Sequence, residues 1–404
     1  MKKIKVLNNV IQEYGWGSHN VIPELLGQQV PSEKPQAELW MGSHPKASSE
    51  VEIEGRRVSL LKLIEKNPED ILGQKVALKF NNKLPYLFKV LAAAKPLSIQ
   101  AHPNKSHAQA GFARENMLGV PINAPNRNYK DDNHKPECIC ALTPFWALNG
   151  FRKISKTILL MEKICPLYLL TKIDLLRKQP DSAGLKLFFK TLMTMDSKTK
   201  KQAIDDTLAN INAKNLCNDD LAFKWMINLS REYPDDIGIF FPVLLNLVCL
   251  KPGQAMFLPA GELHAYLEGA GIELMANSDN VLRGGLTGKH IDVSELIKIL
   301  NFKERKIDIL TPEKTETCES KYPSLADEFV LSVIITDNKE KTYTSVGTRS
   351  VEIILCTDGE AVITEIGRNS AIPLLKGTSV VIPAAVERYS IHGAATLYKA
   401  AVPV

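Results

Sequence analysis

The sequence predicts a mainly β protein with a helical insertion: two β-barrels of common design plus an α-helical domain. Three observations carry this. Residues 328–404 alternate apolar and polar positions, as at Val351, Ile353 and Leu355, which is the period-2 pattern of half-buried strands. Residues 152–236 switch to helical spacing, with Leu185, Phe188, Phe189 and Leu192 on one face and lysines on the others. The skeleton Gly253-x5-Pro259-x-Gly261 is echoed by Gly377-x5-Pro383-x-Ala385, so one turn–strand–turn design occurs twice. The expected division is a first barrel from residues 1–151 and 237–302, a helical insertion at 152–236, a polar connector at 303–327 containing Pro312 and Pro323, and a second barrel at 328–404.

Composition sets the class. A chain of 404 residues exceeds one ordinary core, and 45% hydrophobic with 24% charged residues describes a soluble globular protein. A net charge of +5 with no basic block argues against nucleic acid and is compatible with an anionic small substrate. The first residues carry lysines but no apolar segment of signal-peptide length. The longest apolar run, 237–250, is broken by Pro242 and Asn246 and is too short to span a bilayer. Seven cysteines form an odd set, and Cys138 and Cys140 suit a strand face better than a zinc knuckle. A reducing, cytoplasmic setting, no membrane or nucleic-acid partner and a monomer are expected.

Along the chain, Gly15-Trp16-Gly17-Ser18 and Ala37-Glu38-Leu39-Trp40-Met41-Gly42 each set a tryptophan beside glycine, as core filler or as the lining of a site. Ser59 is expected to cap a helix over residues 59–65. The apolar run 84–91 contains Lys89, which is expected to lead its charge out to solvent; turned inward, burial would lower its pKa and make it a candidate base. Ser98, Gln100 and His102 alternate and so share one strand face. Pro103 ends that strand, and Ser106 is expected to cap a helix towards Leu118. A polar loop leads into Asp131-Asp132-Asn133-His134-Lys135-Pro136-Glu137, and residues 138–146 read as a strand. Asp358-Gly359 predicts a type I′ hairpin with a return strand from Ala361.

The richest stretch is 251–287. Gly261 frees the backbone to deliver His264 inward, and the spacing G-x5-P-x-G-x2-H resembles the second metal-binding motif of the cupin jelly-roll barrels. Four candidate ligands stand out: Gln100, His102, Glu137 and His264. Two imidazoles, a carboxylate and an amide oxygen suit a zinc-like divalent ion, and also tolerate manganese or iron. One carboxylate leaves such a site net positive, which suits a reaction that builds negative charge on a substrate oxygen. In the second barrel Arg388 stands where His264 does in the first, and His392 is solitary, so no metal is expected there.

These residues resemble the type I phosphomannose isomerases. The resemblance rests on Tyr14-Gly15-Trp16-Gly17-Ser18, on PLSIQAHPNK from Pro96, on DDNHKPE from Asp131 and on ELMANSDNVLRGGLT from Glu273. It covers most of residues 1–300; Gly284 stands where family members often have alanine. The resemblance implies one zinc per chain on Gln100, His102, Glu137 and His264, with Arg283 as the active-site arginine. It also implies that Trp16, Lys89, His134, Lys135, Glu273 and Asp279 line the same pocket. The reaction implied is interconversion of mannose 6-phosphate and fructose 6-phosphate through a cis-enediol. Lys135, Lys89 and Glu273 each qualify as the base by type. His134 either shuttles the ring-opening proton or orients Glu137, and Lys105 and Lys289 are phosphate contacts or surface lysines. An iron-dependent cupin oxygenase is disfavoured by the glutamine ligand, and a non-catalytic sugar-binding double barrel by the presence of both Arg283 and His264.

Overall fold

The computed structural model describes residues 1–315, 318–337, 342–368 and 370–404. Its strands fall mainly into two antiparallel sheets, one of ten strands and one of nine among the described residues. Alternation explains how they meet. Strand Tyr86–Ala93 is buried at all eight positions, so both of its faces are covered. One face, with Phe88 and Val90, joins Leu39, Cys138, Cys140, Ile272 and Leu274 to form a core with Val351, Ile353, Leu355 and Ala400 of the other sheet. The opposite face carries Lys89, which lies across from both Trp40 and Glu273, while Met275 lies across from Glu137. The polar residues of the first sheet therefore turn away from the shared core and into the sheet's own interior.

The insertion packs as the helical spacing predicts. Helices Ile154–Ile164, Leu167–Lys178, Ser182–Met193, Ser197–Ala213 and Leu221–Glu232 follow one another, and the Asp181, Asp196 and Asp220 side chains accept N–H bonds at three of their starts. Leu185, Phe188, Phe189 and Leu192 are buried, with Phe189 edge-on to Phe151 at 5.8 Å. The aromatic stripe is core. Among the described residues no helix is long and apolar enough to cross a membrane.

Several local expectations are corrected. The region 303–327 is more than a connector: strands Glu313–Lys314 and Glu319–Lys321 extend the C-terminal sheet, and strand Lys5–Val6 joins that sheet beside Ser379–Ile382. Asp358-Gly359 makes no hairpin. Strand Glu352–Glu365 runs through it with a register shift between Cys356 and Asp358, so that Thr357 is the extra residue of a bulge, and Gly359 follows at φ 74°. Both flanks pair with the same long strand, Tyr389–Ala401, so nothing reverses there. The helix after Pro103 is capped by Asn104, whose side chain accepts from the His107 N–H, and the Ser59 hydroxyl bonds Ser48 in place of its own helix. Residues 138–146 divide into strands Glu137–Ala141 and Phe145–Phe151.

Arg388 is exposed at the surface, so it does not face the interior of the C-terminal sheet. His392 is exposed too, its Nδ1 3.1 Å from the Thr342 hydroxyl. What fills the interior is Lys399, its Nζ 2.9 Å from Glu319, 3.2 Å from Glu352 and 3.0 Å from the Tyr343 hydroxyl. Burial opposes the charge on Lys399, but Glu352, Tyr343 and Glu319 outweigh it and raise the pKa. Removing one partner of a buried ion pair costs about 3–5 kcal/mol. Lys399→Met should therefore lower the melting temperature by many degrees while leaving metal content intact, measured by calorimetry and metal analysis.

Candidate active site

Two ligand segments are tied together by backbone. Gly261, at φ 78°, donates its N–H to the His102 carbonyl at 2.9 Å. A Cβ at Gly261 would stand 2.8 Å from the Ile299 carbonyl oxygen, so only glycine fits. Strand His264–Ala276 begins directly afterwards. Asn280, fully buried, accepts from the Lys130 N–H at 2.7 Å and donates to the carbonyls of Asp131 and Asn133. It thereby locks the 130–133 loop beside His102.

Ligand atoms of His102, Glu137 and His264 all lie within 4.8 Å of one another, and all three residues are buried. The Nε2 atoms of His102 and His264 stand 3.3 Å from the Glu137 oxygens, yet both Nε2 atoms and Glu137 Oε2 lack a hydrogen-bond partner. The contacts are close but misaligned. Each imidazole uses its other nitrogen: His102 Nδ1 bonds the Asn280 carbonyl at 2.7 Å, and His264 Nδ1 the Glu262 carbonyl at 3.0 Å. Those carbonyls place the proton on Nδ1 and aim both Nε2 lone pairs at one point. Buried polar atoms left unpartnered around a common centre fit a divalent ion. Gln100 lies directly across from His264 in the ladder, and Arg283 across from Gln100, so all three share a face. Burial, opposed by the Glu137 carboxylate, lowers His102 to about 4. Burial alone would raise Glu137, but His102 and Lys135 outweigh it and hold the carboxyl far below the ordinary range.

Lys89 corrects the expectation. It is 5% exposed and points inward, its Nζ 2.9 Å from Glu273, 3.5 Å from Glu38 and 5.3 Å from the centre of the Trp40 ring. Burial lowers its pKa as anticipated, but the Glu273 and Glu38 charges outweigh that and raise it. Lys89 therefore keeps its proton. Glu273 is raised, chiefly by burial and against the pull of Lys89. Lys135 is buried with its Nζ 3.2 Å from Glu137.

At the mouth, Arg283 is half-buried, and burial lowers its pKa. Lys130 is lowered by burial and then by Lys46, Arg283 and Lys289, which makes these four cations one group. Asp279 Oδ2 holds Lys46 at 2.8 Å and faces His44 Nε2 at 3.8 Å. Trp16 packs on the interior apolar cluster with Leu91, Ile139 and Tyr266, stacked against Tyr14 at 5.8 Å. His134 turns to Glu328 at 2.6 Å, so it does not orient Glu137. Lys105 is exposed and bonds Asn133; Lys289 is exposed, its pKa lowered by partial burial and then by the Arg283 charge.

Sequence reasoning missed Glu38, His44, Lys46 and Tyr266. Glu38 and Trp40 alternate on strand Glu38–Met41, and the Trp40 Nε1–H donates to Glu38 at 2.8 Å, so period 2 from the tryptophan would have found the carboxylate. Tyr266 lies two residues beyond a candidate ligand on one strand, its ring 6.1 Å from that of His264. Nothing in the sequence marks His44. Burial pushes it down to about 4, against an unfolded value near 6.5, so the unfolded chain binds the extra proton between these values. The stabilisation is complete above pH 6.5 and is lost as pH falls towards 4, by on the order of 3 kcal/mol at most. His44→Gln should flatten the fall in melting temperature over that window.

Comparison with known proteins agrees with this geometry. The catalytic-domain model of type I phosphomannose isomerase matches residues 4–154, and that family's helical insertion domain matches residues 171–245. The mannose-6-phosphate isomerase of Salmonella typhimurium is 43% identical, over 88% of this chain and 89% of its own. The human enzyme of the same name is 33% identical, over 94% and 93%. A crystal structure of mannose 6-phosphate isomerase with zinc bound superposes at a TM-score of 0.91 and 39% identity, covering 99% of this chain and all of its own. With catalytic and insertion domains both matched and the identity sustained along the chain, the protein belongs to the type I phosphomannose isomerase family.

Proposed function

We propose that this protein interconverts mannose 6-phosphate and fructose 6-phosphate, with one zinc ion held by Gln100, His102, Glu137 and His264. The observation that carries this is the convergence of three buried, unpartnered ligand atoms on one point in a chain of this family. The repeated turn skeleton and antiparallel pairing in both sheets support closure of each sheet as a cupin-type jelly roll, the second without metal.

Zinc held by these residues would supply Lewis acidity for negative charge developing on substrate oxygen. Three of the cations at the mouth, Lys46, Lys130 and Lys289, suit the dianionic phosphate and keep the sugar's reacting end inward. Opening of the ring breaks C1–O5 as C1=O1 forms, the O1 hydroxyl proton leaving and O5 gaining one; Asp279, kept ionised beside Lys46, accepts a hydrogen bond from a sugar hydroxyl. A proton then leaves C2 and returns at C1. Lys89 holds its own proton too firmly to be that base, and serves as a fixed positive charge beside Glu273. Glu273, with its raised pKa, and Lys135, beside the ligand carboxylate, are the groups left to carry the proton. Arg283, on the same face as Gln100 and His264, stabilises the enediolate oxygens.

The test is a coupled assay of fructose 6-phosphate formation with metal analysis of the same sample. One zinc per chain is expected, removed by His264→Ala and untouched by His392→Ala. Zinc-loaded protein that forms no fructose 6-phosphate overturns the proposal, as does an ion that survives His264→Ala.

A further inference from the structure

The turn Ser43-His44-Pro45-Lys46 forms a wall of the site that no part of the mechanism above uses through its histidine. The His44 side chain is 6% exposed, and its ring lies edge-on to Trp40, centroids 4.9 Å apart, so packing fixes its plane. Its Nδ1 accepts the backbone N–H of Lys46 at 3.3 Å. A nitrogen that accepts carries no proton, so the neutral ring bears its hydrogen on Nε2. That atom faces Asp279 Oδ2 at 3.8 Å, less than about 1 Å beyond bonding distance.

Asp279 is prepared to be held. Its backbone N–H donates to Asp131 at 2.7 Å, which fixes the main chain, while Lys46 grips Oδ2 through a flexible, half-exposed stem. A lysine ammonium alone leaves the carboxylate free to swing. A second donor on the same oxygen, from a ring immobilised by Trp40, would fix its plane and present Oδ1 to the sugar.

We propose that His44 is a positioning residue: its Nε2–H closes onto Asp279 Oδ2 when substrate is bound and orients Oδ1 towards a sugar hydroxyl. This rests on the placement of Asp279 in the sugar pocket proposed above. Catalytic groups of the free protein are often slightly too far apart and tighten in the complex. The surroundings keep the ring neutral, since burial disfavours its cation and Lys46, Lys89 and Lys135 oppose it, against Asp279 alone in favour.

The experiment compares kcat, KM and zinc content for His44→Phe and His44→Gln, each in wild-type and Asp279→Ala backgrounds. Phenylalanine keeps the contact with Trp40 and removes the donor, whereas the glutamine amide can donate from nearly the same place. We expect His44→Phe to lower kcat about tenfold, or about 1.4 kcal/mol, with KM and zinc little changed. His44→Gln should recover most of the loss, and His44→Phe should add nothing in the Asp279→Ala background. A His44→Phe protein as active as wild type, equal losses in both variants, or a full further loss without Asp279 overturns the inference. If wild-type protein does not isomerise mannose 6-phosphate, the functional proposal fails first. Should His44→Phe not fold, nitrogen-detected NMR of the wild-type ring still decides: protonation on Nδ1 at neutral pH overturns the inference.

Discussion

Glu137→Gln should abolish isomerisation, by about 1,000-fold or more, and release the metal while the fold persists. The substitution keeps shape but removes the one charge among the proposed ligands, and metal affinity depends on a deprotonated, anionic donor. It also strands Lys135, whose ammonium stands 3.2 Å from that carboxylate in a buried setting, so zinc added back should rescue little. The surrounding core does not depend on this side chain: Cys138 and Cys140, on the other face of the same strand, stay packed against the second sheet. Metal analysis beside circular dichroism separates the outcomes. Full zinc occupancy with full turnover would remove Glu137 from the site.

Arg283→Ala should lower kcat by roughly 100- to 1,000-fold, the loss expected when one preorganised donor to a developing oxyanion is removed, with a smaller rise in KM. Arg283→Lys should restore part of the rate, because a point charge returns without the planar fork. Lys130 and Lys289 remain to hold phosphate in either variant, which is why binding should suffer less than turnover. A variant with unchanged kcat and a large increase in KM would make Arg283 part of the phosphate clamp.

The convergence of His102, Glu137 and His264 was legible because it depends on local backbone chemistry. Gly261, the proline turns and strand alternation around Gln100 and His102 are written within a few residues of the groups they aim. Lys89 was not legible, because whether a lysine in an apolar run reaches solvent depends on what covers its own face, and here Trp40, Glu38 and Glu273 from other strands of the same sheet do so. The sign of its pKa shift was equally hidden: Glu38 and Glu273 arrive from two other strands. Asp358-Gly359 misled for a related reason, since the same dipeptide can make a reversal or follow a bulge, and the partner strand chooses. The role of Arg388 was inferred from a repeat skeleton that preserves the turn but not the direction of the next side chain. His44 carries no local signal at all; its significance comes from Asp279, which is remote in sequence.

The pairing of strand Lys5–Val6 with Ser379–Ile382 bears on how the protein is made. The nearby Ile4 N–H bonds the Glu365 carboxylate 361 residues further along. A ribosome adding roughly 5–20 residues per second needs some tens of seconds to supply that partner. Throughout that time strand Lys5–Val6 lacks its partner, with Ile4 and Leu7 wet. Strand Val10–Gln12, only a few residues on, already belongs to the sheet that bears the proposed metal ligands. Strand Lys5–Val6 is thus seated only after residues 379–382 have been made, and its docking fastens the two sheets to each other.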